Sequence, residues 1–179
     1  MTSRNRILYA VLSAMFLALA LVLPFLTGQI PELGNALCPM HFPVLLCGFF
    51  CGPWYGLAVG LIAPLLRFLL FGMPPLLPTG LSMCVELGVY GLTAGLFYRI
   101  LPKKKVHIYV ALILAMLFGR AALGIAETVF YGISKTEFGF SIFLAGAFVN
   151  AIPGIIAQIV IIPVLVMVLA PLLPAAERE

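Results

Sequence analysis

Four charged side chains lie within apolar stretches of this 179-residue chain, where a charge is costly and is therefore a candidate functional group. They are Arg67, Glu86, Arg120 and Glu127, and the neutral polar residues Asn150 and Gln158 accompany them. An arginine can hold a carboxylate through two parallel hydrogen bonds, and a buried glutamate can pair with a cation or carry a proton. These residue types predict either a binding site for a small polar molecule or a set of internal ion pairs.

The spacing of these residues places them on two helical faces. Arg120 and Glu127 are seven residues apart and share one face, while Asn150 and Gln158 are eight apart and share another. We predict that the two faces line a pocket that opens outward. Residues 28–41, which connect the first two predicted helices, should cover this pocket.

Depth in the membrane favours a ligand site over internal pairing. With a helical rise of about 1.5 Å per residue, five of the residues come out in the outer half of the membrane or near its midplane: Arg67, Glu86, Arg120, Glu127 and Asn150. Polar Asn35 and His41 in the first connection lie on the same side, although His41 alone is equally consistent with an interfacial residue. Because two arginines balance two glutamates, internal pairing stays open as the alternative.

The elements that must carry these residues are membrane helices. The chain is 64% hydrophobic and 9% charged, whereas soluble domains are about one quarter charged. We predict an all-α integral membrane bundle, a single domain over 1–179, with six transmembrane helices at about 7–26, 42–51, 57–71, 79–101, 106–131 and 140–170. Positive charge before the first span and between the fourth and fifth, at Arg99 and Lys103 to Lys105, places both termini in the cytoplasm.

Alanine recurs every fourth residue in the first span, at Ala10, Ala14 and Ala18. Four residues advance a helix by about 400°, so these side chains form one narrow stripe. Small residues let membrane helices approach closely, and the partner helix could belong to this chain or to another subunit.

Glycine recurs at the same interval around the second connection, at Gly48, Gly52, Gly56 and Gly60. We predict a tight turn over GPWYG, residues 52–56, and close packing of the second span on the third.

Several kinds of chemistry find no motif in the sequence. GxxxxGK[ST] and HExxH are absent, and the four cysteines lack the spacing of a zinc or redox site. Ser82 in GLSMC lacks the second glycine of a nucleophile elbow, and the predicted spans place His107 about 30 Å away. We therefore expect no catalytic residue, no metal and no cofactor, and the charge distribution gives no reason to expect a nucleic acid partner.

The stretch FPVLLCGFFCGPWYGLAVG (42–60), the six short spans and the alanine stripe together resemble the substrate-binding S components of energy-coupling factor (ECF) vitamin transporters. The resemblance covers essentially the whole chain. It implies a multi-pass subunit of a prokaryotic cell membrane that binds a water-soluble vitamin or precursor from outside and is not itself an enzyme.

The resemblance also implies partners and site residues. An S component associates with a membrane coupling subunit, the T component, and with two cytoplasmic ATPases, and it is thought to topple in the bilayer to release its cargo. It implies that Ala10, Ala14 and Ala18 contact the coupling subunit. It implies a substrate site formed by Asn35, Glu86, Arg120, Glu127 and Asn150, with Arg67 fitting less well.

The mixed charges favour a pantothenate-like anion whose carboxylate pairs with Arg120, and a pyrimidine or pyridine vitamin is the alternative substrate. Two other functions stay open at this point. One is a stand-alone proton-coupled secondary transporter of a small polar metabolite that uses Glu86 or Glu127. The other is an intramembrane enzyme that acts through Ser82 or a cysteine.

Overall fold

The computed structural model describes residues 3–27, 36–102, 104–133 and 151–172. Within these ranges the regular structure is helical throughout, which confirms the all-α prediction for the part described. The α-helices are α1 (Ser3–Val22), α2 (His41–Cys51), α3 (Pro53–Phe71), α4 (Leu81–Ile100), α5 (Lys105–Ile133) and α6 (Ile152–Leu169).

Five of the described helices are long and apolar enough to cross a membrane. They are Asn5–Phe25, Pro53–Phe71, Leu76–Ile100, Lys105–Gly132 and Ile152–Leu169, where the first and third ranges include a short helical turn joined to α1 and α4. The 11 residues of α2 extend only about 16 Å, roughly half the hydrocarbon core. Six crossings and cytoplasmic termini therefore stay predictions.

Helix α2 lies inside the bundle. Every residue from His41 to Cys51 except Phe42 is buried, and the helix packs against α1, α3, α4 and α6. Because all its faces meet protein, its apolar composition comes from burial within the bundle and does not require contact with lipid.

The junction between α2 and α3 is shorter than the sequence suggested. Only Gly52 turns the chain, with a φ of 97° that favours glycine, and α3 begins at Pro53 rather than at residue 57. Proline suits the first position of a helix because its fixed φ is already helical and its missing N–H is not needed there. Trp54 consequently sits in the first turn of α3, where 72% of its surface is exposed.

The glycines around this junction also contact a third helix. A Cβ atom on Gly56 would lie 2.5 Å from the carbonyl oxygen of Gly91 in α4, and one on Gly48 would meet the same oxygen. A Cβ on Gly95 would lie 2.5 Å from the backbone nitrogen of Pro53. The predicted close packing of the second span on the third is confirmed, since a Cβ on Gly56 would also lie 2.9 Å from Gly48 Cα, and the same glycines bring both helices onto α4.

Candidate functional site

An ion pair between α4 and α5 forms the centre of the candidate site. Arg120 Nη1 lies 2.9 Å from Glu86 Oε1, and the two residues are only 6% and 2% exposed. Both helices supply a long buried face at this contact. The structure therefore brings together two of the residues that the sequence predicted for the site.

His41 and Tyr90 complete the surroundings of Glu86. His41 Nε2 lies 3.4 Å from the same Oε1 atom, and the imidazole meets the Tyr90 ring edge-on with the ring centroids 5.1 Å apart. Tyr90 follows Glu86 by one helical turn, so both side chains leave the same face of α4. Gly119 in α5 leaves room for the Tyr90 ring, since a Cβ there would lie 2.5 Å from a ring carbon.

Sequence reasoning placed His41 on the same side as the charged residues but did not count it among the site residues. It also left Tyr90 unmentioned, because a tyrosine among apolar residues carries no signal of its own. One signal was present for His41: it is a polar residue that opens a helix too short to span the membrane, and such a helix is better placed inside a bundle.

The end of the first connection contacts Arg120 through Cys38. Arg120 Nη2 donates to Cys38 Sγ at 3.8 Å, and Cys38 has a φ of +46°, which is uncommon for a residue other than glycine. Burial raises the pKa of the Cys38 thiol, so at neutral pH Arg120 faces an uncharged sulfur. This sulfur is a weak acceptor and satisfies the guanidinium only partly.

Several buried polar atoms have no hydrogen-bond partner among the described residues. Around the ion pair they include Arg120 Nε and His41 Nδ1, and in α6 they are both terminal atoms of the Gln158 amide. His107 Nδ1, near the start of α5, is a further one that lies apart from this group. An unsatisfied buried polar group costs about 1–3 kcal/mol, so native proteins contain few of them. Such a concentration of unused donors and acceptors is typical of a site for a polar molecule.

The remaining predicted site residues divide into two groups. Glu127 is half-buried on α5, and the charges of Glu86 and Arg120 both act on it, so it belongs to the electrostatic surroundings of the ion pair. Asn35 and Asn150 lie outside the described residues.

Arg67 has a different set of contacts at the ends of α1 and α3. Its Nη1 donates to the carbonyl oxygen of Leu21 at 3.1 Å, and its guanidinium lies 5.6 Å and 5.7 Å from the ring centroids of Phe25 and Phe71. Arginine commonly satisfies the last carbonyls of a helix in this way. These contacts join the end of α1 to α3. They indicate a structural role for Arg67, which the sequence analysis had kept among the substrate-site residues as the one that fits less well.

The alanine stripe of α1 faces away from the bundle. Ala10, Ala14 and Ala18 are exposed, whereas a second row of the same helix is buried in the protein and comprises Tyr9, Ser13, Phe16 and Ala20. The described part of the chain thus leaves the stripe open to lipid or to another subunit.

The residues considered for enzyme chemistry have structural contacts. Ser82 is fully buried and its hydroxyl donates to the carbonyl oxygen of Pro78 at 2.9 Å. Cys47 Sγ donates to the Ser13 hydroxyl at 3.6 Å, which links α2 to α1. Ser82 and Cys47 therefore make hydrogen bonds that stabilise the packing of the helices.

The family model of the substrate-specific component of ECF transporters matches residues 8–166, which is most of the chain. Neither the curated proteins nor the solved structures include a match. Members of this family are substrate-binding transport subunits and not enzymes, and the long apolar helices fit a multi-pass membrane protein. This chain belongs to the ECF transporter substrate-specific components, the family that its sequence resembles.

Proposed function

We propose that this subunit binds a small water-soluble vitamin or vitamin precursor from the outer side of a prokaryotic cell membrane and delivers it inward with a T component and two ATPases. One observation carries the proposal: the Glu86–Arg120 ion pair contacts the described end of the first connection at Cys38 and lies among buried polar atoms that lack hydrogen-bond partners in the described residues. ATP hydrolysis takes place on the partner subunits.

The state of Arg120 supports a pantothenate-like anion as the substrate. Its Nη1 pairs with Glu86, its Nη2 donates to the weak thiol acceptor of Cys38, and its Nε has no hydrogen-bond partner among the described residues. Nε and Nη2 form one edge of the planar guanidinium, and this edge matches the two oxygens of a carboxylate. Glu86 then fixes the orientation of the guanidinium while the substrate carboxylate binds the other edge.

Calorimetry with purified full-length protein and pantothenate tests this proposal. Arg120→Lys keeps the positive charge but removes the second donor of the edge, and we expect at least a tenfold loss of affinity. Arg99→Lys makes the same change at an exposed position near the end of α4 and should leave the affinity unchanged. Equal affinities of wild type and Arg120→Lys would contradict the carboxylate contact, and a wild type that binds no pantothenate would contradict this substrate.

A further inference from the structure

Gln158 is a deeply buried polar side chain on α6 that takes no part in the ion pair. It is 1% exposed, and neither Oε1 nor Nε2 has a hydrogen-bond partner in the described ranges. The buried row of α6 on which it lies is otherwise apolar, with Gly154 before it and Ile162 and Val166 after it.

The neighbours of this row place Gln158 below the end of the first connection. Gly154, one turn earlier, packs so closely on the connection that a Cβ atom there would lie 2.7 Å from the carbonyl oxygen of Ala36. The same connection continues to Cys38 and His41, which contact Arg120 and Glu86. Helix α6 itself packs against α2 and α5, so Gln158 and the ion pair belong to elements that meet around the same segment.

The chemistry of a carboxamide limits what can satisfy Gln158. It offers an acceptor oxygen and two donor hydrogens in one plane, so its natural complement is another amide-like group that presents a carbonyl and an N–H together. If packing were the only role of this position, an apolar side chain of the same shape would be at least as stable, because it would leave no polar atom unsatisfied.

Building on the proposed function, we propose that Gln158 is a second substrate contact that binds an uncharged amide or lactam group. Arg120 binds the carboxylate at the other end of the molecule. The substrate class is thus a monocarboxylate that also carries a secondary amide or a ring lactam, and a substrate with a carboxylate alone would leave Gln158 without a partner.

Three probes separate the two contacts in calorimetry with the full chain: pantothenate, its ester analogue with oxygen in place of the amide N–H, and panthenol with an alcohol in place of the carboxylate. We expect wild type to bind pantothenate about tenfold more tightly than the ester, the usual size of one neutral hydrogen bond. Gln158→Met should bind pantothenate about tenfold more weakly and should no longer distinguish it from the ester. Panthenol should bind weakly to both proteins because it lacks the group for Arg120.

Thermal unfolding distinguishes a substrate contact from a structural one. Gln158→Met removes two unsatisfied atoms, so without pantothenate its Tm should equal or exceed that of wild type, while the rise in Tm on adding pantothenate should shrink. Thr93→Val is the control, because the Thr93 hydroxyl is already bonded to Val89 within α4, and it should keep the preference for the amide.

The outcomes tell the two proposals apart. A tenfold preference for pantothenate over its ester in Gln158→Met, or no such preference in wild type, overturns the role of Gln158 and leaves the proposed function standing. Failure of wild type to bind pantothenate overturns the proposed substrate and this inference with it. Equal binding of panthenol and pantothenate overturns the Arg120 contact and the requirement for a carboxylate, and it leaves the amide contact of Gln158 standing.

Discussion

At the scale of single residues, the two buried arginines differ in what surrounds them. Arg67 on α3 donates to the Leu21 carbonyl of α1 and lies against two aromatic rings. Residues of this chain therefore supply these contacts. Arg120 pairs with Glu86 and donates to the weak acceptor Cys38, while its Nε has no hydrogen-bond partner among the described residues. A buried ion pair seldom adds net stability, because removing both charges from water offsets their attraction. The pair at Arg120 is better explained by the orientation it gives the guanidinium.

Glu86→Gln tests this interpretation at the same scale. The substitution leaves a buried guanidinium without a counter-charge, and we expect the free energy of unfolding to fall by about 3 kcal/mol. The measurement is denaturant unfolding of the protein in detergent micelles. The double variant Glu86→Gln/Arg120→Met should recover much of the loss, because it removes the uncompensated charge, but it should not bind pantothenate. If Glu86→Gln were as stable as wild type, the buried Arg120 guanidinium would not depend on Glu86 as its counter-charge, and this interpretation would be wrong.

At the scale of the helices, the sequence predicted most of the described architecture and less of the site. Long apolar runs gave the helices because hydrophobicity over about 20 residues is a strong signal. The glycine interval predicted that α2 packs closely on α3, and the approach of Gly56 to Gly48 confirms it. A four-residue spacing does not show which other helix lies nearby, so the contact of both glycines with α4 was missed. The ion pair of Glu86 with Arg120 also depends on which helices are neighbours, a property that spacing within one helix does not contain.

Gly56→Ala tests the convergence of α2 and α3 on α4. The new methyl group would lie 2.5 Å from a backbone oxygen of Gly91 and 2.9 Å from Gly48 Cα, so the helices must move apart. We expect the unfolding free energy to decrease by about 1–3 kcal/mol. Gly132→Ala in α5 is the matched control, because a Cβ there meets no atom of the described residues within 4 Å, and the stability should be kept or raised. Equal stability of both variants would contradict close packing at Gly56.

At the scale of the whole molecule, the proposed binding and docking sites lie on different surfaces. The ion pair is buried between α4 and α5, while the alanine stripe lies on the exposed side of α1. No described contact of the stripe reaches the ion pair, so the two functions should be separable by mutation. A self-sufficient carrier would need no such exposed stripe, whereas a subunit that depends on a T component needs a surface for it.

Ala14→Leu separates the two functions. A leucine at this exposed position adds bulk where we propose that a helix of the T component packs, but it touches no atom of the ion pair. We expect unchanged pantothenate affinity in calorimetry and at least a tenfold slower ATP-dependent uptake of pantothenate by proteoliposomes that contain the T component and ATPases. Ala121→Leu, at an exposed alanine of α5, should transport normally. Undiminished uptake by Ala14→Leu would contradict docking along the stripe, and uptake driven by a pH gradient without ATPases would instead favour a proton-coupled carrier.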